Sequence, residues 1–233
     1  MDTRIPACTS PDLTAPAFSR KFAAFLFDMD GTLINSLASA ERAWGAWAVR
    51  NGLDPVTFLP TIHGIRGVDM IASLALPGLD PVVEAAGILA AETADMDGIF
   101  ALPGVVDFLN SLPQDSWAIV TSAPASLARK RLAAAGVPLP KVFVTSEDVA
   151  AGKPDPSCFQ LGAERLGVNV EDCIVFEDAH AGITAGERAG AALMVITATH
   201  SHALGTYHPT TDTYETLRAH THEDGWISLL KAA

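Results

Sequence analysis

Basic residues are scarce in this chain: 15 Lys and Arg stand against 27 Asp and Glu, a net charge of −12 over 233 residues. A general nucleic-acid binder needs Lys and Arg to displace phosphate counterions, so that class of partner is not expected. A phosphorylated small molecule stays open, because a local metal or lysine overrides the global sign. Cysteine is scarcer still. Cys8, Cys158 and Cys173 are odd in number and show no CxxC spacing, which fits reduced thiols better than a disulfide scaffold or a zinc site. No apolar run approaches the roughly 20 residues of a membrane span, and no membrane partner is expected. The opening stretch MDTRIPACTSPDLTAPAFSRK has no basic start followed by an apolar run. It reads as a chain without a signal peptide, cytoplasmic, with a loose arm over residues 1–20. Internal repeats and low-complexity tracts are absent.

What is present is enough to build a core. Hydrophobic residues make up 49% and charged residues 18%, so a packed domain, or a domain carrying an insertion, is expected. Phe22–Phe27 is a short apolar run of the kind buried on both faces of a sheet. After Asn35 and Ser36, both suited to a helix N-cap, the pattern turns helical: Ala40, Trp44, Trp47 and Ala48 share a face, and Gly52 ends it. At this spacing Trp44 and Trp47 read as helix-packing residues rather than a ligand platform. Helical character persists to about Phe100, with a new start at Asp80-Pro81.

From Pro103 the chain alternates. Strands are expected at Trp117–Val120, Val142–Val144, Cys173–Phe176 and Ala192–Ile196, with helical segments between them. Such alternation means right-handed crossovers and a mostly parallel sheet. The fold class is therefore α/β: a mostly parallel sheet over 21–35 and 101–233, with a helical module over 36–100 inserted after the first strand.

In open α/β sheets ligands sit beyond the carboxyl ends of the strands. The residues placed there are Asp28 and Asp30, Thr121 and Ser122, Thr145 and Ser146 leading to Lys153, and Glu177 with Asp178. Carboxylates at the mouth of an apolar strand cost free energy unless a metal, a hydrogen bond or a proton compensates them. Asp28, Asp178 and a backbone carbonyl are hard oxygen donors suited to Mg²⁺. A carboxylate can also attack phosphorus, while a hydroxyl and a lysine hold the phosphoryl oxygens. Other roles fit parts of the set: Asp28 and Asp30 as turn residues, Thr121 or Ser122 as an N-cap, Glu177 and Asp178 as first-turn acids. His200, His202 and His208, in a Ser/Thr/Gly-rich stretch with no i, i+4 pair, read as solvent-exposed loop histidines.

DMDGT after an apolar strand, a hydroxyl after AIV, then GKPDP and VFEDAHAG resemble, in this order, the four motifs of the haloacid dehalogenase superfamily of phosphatases, across about residues 22–200. The resemblance implies a Rossmann-like core with the inserted helical module as its cap, Asp28 as nucleophile, and Asp30 as general acid and later base. It implies Mg²⁺ held by Asp28, the Asp30 carbonyl and Asp178, with Glu177 helping through a water. Thr121, or Ser122 beside it, and Lys153 grip the phosphoryl group.

Several reactions share this scaffold. Haloacid dehalogenases lack the second aspartate, so Asp30 argues for phosphate ester hydrolysis. β-Phosphoglucomutases carry a hinge histidine ten residues past the second aspartate, where this chain has Ala40. Glu41–Leu53 and Ile62–Asp69 resemble the cap segments of sugar and polyol phosphatases, including 2-deoxyglucose-6-phosphate and glycerol-phosphate enzymes. In that light His63, Arg66 and Glu41 meet the substrate. The expectation is a Mg²⁺-dependent sugar or polyol phosphatase, monomeric or weakly self-associating. A phosphoglycolate-type phosphatase, a mutase, and a catalytically silent binder of a phosphorylated metabolite are the alternatives.

Overall fold

The computed structural model describes residues 15–201 and 204–231. Six parallel strands form the main sheet in the order Val142–Val144, Trp117–Val120, Ala24–Phe27, Cys173–Glu177, Ala192–Ile196, Thr210–Thr211. The first strand of this series in the chain lies in the middle, so the winding direction reverses on either side of it. Its neighbours are held in register by Phe27 opposite both Ile119 and Phe176.

Alternation along that central strand divides the core. Phe25 and Phe27 face one side with Phe108, Trp117, Ile119, Phe176 and Tyr214, while Ala24 and Leu26 face the other with Val120, Phe159, Val175 and Leu193. Each fully buried Phe or Leu contributes about 1.5–3 kcal/mol through apolar area removed from water. The Phe27 and Phe176 rings meet at 4.5 Å across adjacent strands, so aromatic packing locks the two strands whose ends carry acids.

Between the first strand and the rest stand the helices Leu37–Arg50, Pro55–Phe58, Gly67–Leu74 and Pro81–Ala94. They have an apolar cluster of their own around Trp44, Trp47, Phe58, Met70, Ile71 and Ile88. Their ends follow the local chemistry. The Asp80 side chain accepts from Val82 N at 2.9 Å with Pro81 in the first turn, and Gly52 lies at φ 72° past the end of Leu37–Arg50. Asn35 Oδ1 accepts from Leu37 N at 3.1 Å, whereas the Ser36 hydroxyl is turned elsewhere. Both crossings between this helical layer and the sheet run side by side, Ile34–Asn35 pairing antiparallel with Phe100–Ala101. The first expected strand is shorter than its apolar run. It begins at Ala24, because Phe22 bridges to Ile227 instead.

The expected loose arm is only partly within the described residues, since residues 1–14 lie outside them. Its end is paired chain rather than loose chain: Ala15–Pro16 pair with Leu230 and Lys231, and Ala17 N donates to Leu229 O at 3.0 Å. Leu217–Thr221 and Ile227–Lys231 form a hairpin that completes this separate three-stranded sheet. Cys158 and Cys173 are free and buried, their thiols pushed up to about 11 and about 12, chiefly by desolvation. Cys8 lies outside the described residues. Among the described residues no helix is long and apolar enough to cross a membrane.

Candidate active site

Asp28 leaves the central strand at the point where the winding reverses. Its N–H donates to Phe176 O at 3.0 Å, which extends the ladder one residue and fixes the carboxyl group at the sheet edge. The chain then turns tightly. Gly31 lies at φ 85°, and Leu33 N and Gly31 N close on Met29 O and Ile34 O, each at 2.8 Å. The space so freed is filled by Asp178, whose Oδ1 accepts from Thr32 Oγ1 at 3.0 Å. Tyr214 Oη donates to Thr32 O at 3.0 Å and braces that turn from beneath.

Lys153 is 2% exposed and reaches between two carboxylates: Nζ lies 2.5 Å from Asp28 Oδ1 and 2.8 Å from Glu177 Oε1, and it donates to Val120 O at 3.2 Å. Glu177 is the last residue of its strand, one position further along than the expected strand end. Its other oxygen accepts from Ala179 N at 2.7 Å. Glu177 therefore anchors the lysine and the turn with both oxygens. Gly182 makes room for it, since a Cβ there would stand 1.6 Å from Glu177 Oε1.

Burial pushes the Asp28 carboxyl up to about 8; Lys153 opposes that rise, and Glu177 and Asp30 add to it. Asp178 is raised well above the carboxylate range by burial, with Glu177 and Asp28 adding to the rise. The same two acids outweigh desolvation at Lys153 and hold it protonated. Three carboxylates thus converge, ligand atoms of Asp28, Glu177 and Asp178 lying within 4.8 Å of one another. Hard, buried, mutually repelling oxygens under one internal lysine fit a divalent cation, which relieves the repulsion a single ammonium leaves.

Above these acids lies a cavity of about 360 Å³ between sheet edge and helical layer. Asp28, Asp30, Asp178, Thr121, Ser122, His63 and Arg66 all line it. Thr121 is placed by its N–H on Val144 O at 2.9 Å, and its hydroxyl oxygen accepts from Ala123 N at 3.0 Å. The Ser122 hydroxyl is spent on the helical layer, donating to Gly64 O at 2.9 Å. Neither caps the following helix, whose Ala125 N–H is held by Glu147 at 2.9 Å. Arg66 borders the cavity but uses its guanidinium on Asp69 and on the carbonyls of Val149 and Ala150, at 2.6 to 3.1 Å. Glu41 stands apart. It faces an adjoining groove of about 1020 Å³ with His63, His180 and His200.

The sequence pattern of the haloacid dehalogenase-like hydrolases matches residues 22–190. The chain belongs to that family. It is similar to hexitol phosphatase A of Escherichia coli (strain K12), 42% identical over 178 residues that cover 75% of this chain and 82% of that one. Glycerol-1-phosphate phosphohydrolase 2 of Saccharomyces cerevisiae is 35% identical over 198 residues, covering 80% of this chain and 79% of its own. Among solved structures, a hydrolase from Pseudomonas syringae superposes with a TM-score of 0.70 at 28% identity, covering 78% of this chain and 87% of that chain.

Two parts of this hydrolase site differ from the sequence reading. The loop histidines are not simply solvent-exposed: His200 Nε2 lies 4.0 Å from Asp178 Oδ2 with its side chain 23% exposed, and His208 pairs with Glu187 at 2.9 Å. The loop after Ile196 folds back over the acids, which its polar composition does not reveal; His202 lies outside the described residues. The second difference is an ion pair that the sequence pattern does not announce. Arg131 bridges Asp30 and Glu92, Nη1 to Asp30 Oδ1 at 3.0 Å and Nη2 to Glu92 Oε1 at 2.9 Å. Helical spacing held the signal, because Arg131 shares a face with Leu127 and Ala128, and Glu92 follows Ile88 by four. Asp30 Oδ1 also accepts from Ser36 Oγ at 2.6 Å.

Proposed function

We propose that this hydrolase is a Mg²⁺-dependent phosphatase of small sugar or polyol phosphates, working through an aspartyl-phosphate on Asp28. The observation that carries the reading is Lys153 seated between Asp28 and Glu177 beside a cavity that Asp28, Asp178 and Thr121 line. Its relatives named for hexitol and glycerol-1-phosphate support the substrate class.

Asp28 attacks phosphorus, and the ester bond to the leaving oxygen breaks. Asp30, two residues along the same turn, gives that oxygen its proton. It then takes a proton from water, whose oxygen attacks phosphorus and releases Asp28 with phosphate. Lys153 and Thr121 hold the equatorial oxygens where charge gathers. Asp28 and Asp178, with the Asp30 carbonyl, would hold Mg²⁺, whose charge would offset that of the phosphate. Residues 36–100 act as a cap on a core of 21–35 and 101–233, whose closure over substrate would shut water out of the cavity. His63 is the cap's polar contribution to this cavity, with Arg66 at its border and Glu41 on the adjoining groove. We place the enzyme in the cytoplasm, monomeric or weakly associated.

The test is phosphate release from a panel of polyol, sugar and short-acid phosphates, with Mg²⁺ and with EDTA. Metal-dependent release concentrated on polyol or hexose phosphates supports the reading. Release from phosphoglycolate alone keeps the mechanism and overturns the substrate class, and no release from any ester overturns both.

A further inference from the structure

The chemistry above leaves one buried ion pair in the cavity wall unused. Arg131, on the helix Ala125–Ala135, is 4% exposed, and Glu92, on Pro81–Ala94, is 8% exposed. Their neighbours along the cavity are Trp44, Ile88, Leu89 and Leu127, which offer hydrocarbon and one indole. Desolvating two charges in such surroundings is costly, and a well-packed apolar pair of the same volume often holds two helices together at least as well. Arg131 Nε, shielded from water, finds no acceptor among the described residues. A buried donor left unpaired is costly. As glue between layers the pair is inefficient, so its place in the wall calls for another reason.

Position supplies that reason. Arg131 Nη1 lies 3.0 Å from Asp30 Oδ1, the carboxylate assigned to the leaving oxygen, so a group one or two bonds beyond the ester oxygen comes within reach of the guanidinium. A hydroxyl needs a donor and an acceptor together. Arg131 and Glu92 present both at one point of an otherwise apolar wall. We propose that Arg131 and Glu92 are specificity-determining residues that receive the hydroxyl on the carbon next to the phosphate-bearing one, Arg131 donating to it and Glu92 accepting from it. This rests on the phosphatase reading of the site. The substrates it selects are phosphate esters of vicinal polyols and open-chain sugars, against alkyl esters of the same length. An ester lacking the hydroxyl leaves the pair's polar atoms dry, and a site built to bond a hydroxyl rejects such analogues far more strongly than an apolar site rejects a missing methylene.

The experiment compares glycerol 1-phosphate with n-propyl phosphate on the wild type, Glu92→Gln and Arg131→Lys, with melting temperatures as a check of folding. In the wild type kcat/KM favours the glycerol ester by about a hundredfold or more, and each variant compresses that ratio by about tenfold, chiefly through KM on the glycerol ester. Folded variants that keep the wild-type ratio overturn the inference. Should a variant fail to fold, the wild type decides alone: equal kcat/KM on the two esters overturns the pair's role and spares the phosphatase reading. Turnover of neither ester overturns that reading, and the inference with it.

Discussion

Gly31 and Asp178 share one space: a Cβ on Gly31 would stand 2.1 Å from Asp178 Oδ2, in a backbone already at φ 85°. The turn after the first strand and the acid after the fourth in the chain are therefore a single fitted unit. Gly31→Ala combines a left-handed penalty of about 1 kcal/mol with displacement of a buried carboxylate. The expected outcome is a lower melting temperature together with loss of the Mg²⁺-induced rise in it, read by thermal shift with and without the ion. A variant that melts lower yet keeps the full Mg²⁺ response would separate the glycine from the acid.

Asp28→Asn keeps the side chain's shape and an acceptor for Lys153, so the fold persists while the nucleophile is gone. Turnover on every ester falls by about three orders of magnitude or more. Asp30→Asn behaves differently, because it removes a proton donor rather than the attacking group. Its loss is large on glycerol 1-phosphate and smaller on p-nitrophenyl phosphate, whose phenolate leaves without help. Parallel steady-state kinetics on the two esters check both variants, and equal impairment on the two by Asp30→Asn speaks against its role.

Lys153→Met removes the cation from between Asp28 and Glu177, with all three groups buried. Uncompensated buried charge costs about 3–5 kcal/mol when one partner is lost. Urea unfolding measures that destabilisation, and in the metal-free variant it lessens as pH is lowered and Asp28, raised by burial, takes up its proton.

The pH dependence of metal binding follows from Asp28, raised by burial to about 8. An acid whose pKa is raised by folding holds its proton more tightly folded than unfolded. Its contribution to the metal-free fold is fully present below about 4 and fades as pH rises through about 8. Mg²⁺ binds the ionised carboxylate and must displace that proton below this point, so its affinity falls by up to about tenfold per pH unit on acidification. Calorimetric titration of the metal at about pH 6.5 and about pH 8 checks the sign: tighter binding at the higher pH.

The readability of this chain followed the range of its interactions. Trp117–Val120, Val142–Val144 and Ala192–Ile196 are short apolar runs bounded by turns, and the expected limits coincide with the observed ones. Asp28, Thr121, Lys153 and Asp178 were legible as a group because each follows a strand and the strands are parallel. Arg131 and Glu92 were not, since their helices are far apart in sequence and only tertiary packing makes a buried pair of two ordinary charged residues. Ser36 takes the expected N-cap position, but its hydroxyl donates to a carboxylate six residues upstream instead of capping the helix. The C-terminal hairpin lies in a polar segment whose alternation is half-buried, too faint against the stronger runs before it.

The antiparallel register at the two crossings, Asn35 opposite Phe100, has a consequence for how this protein can diversify. Residues that face each other in such a pair are joined naturally by a two-residue turn. Everything between them is a detour the sheet does not require, so a different helical block can be spliced between Asn35 and Phe100 with Asp28, Glu177 and Asp178 undisturbed and only the Ser36 bond to Asp30 to be replaced. The cap-side half of selectivity, Glu92 among it, then becomes exchangeable at one seam in the chain, while the reaction and Arg131 stay with the sheet layer.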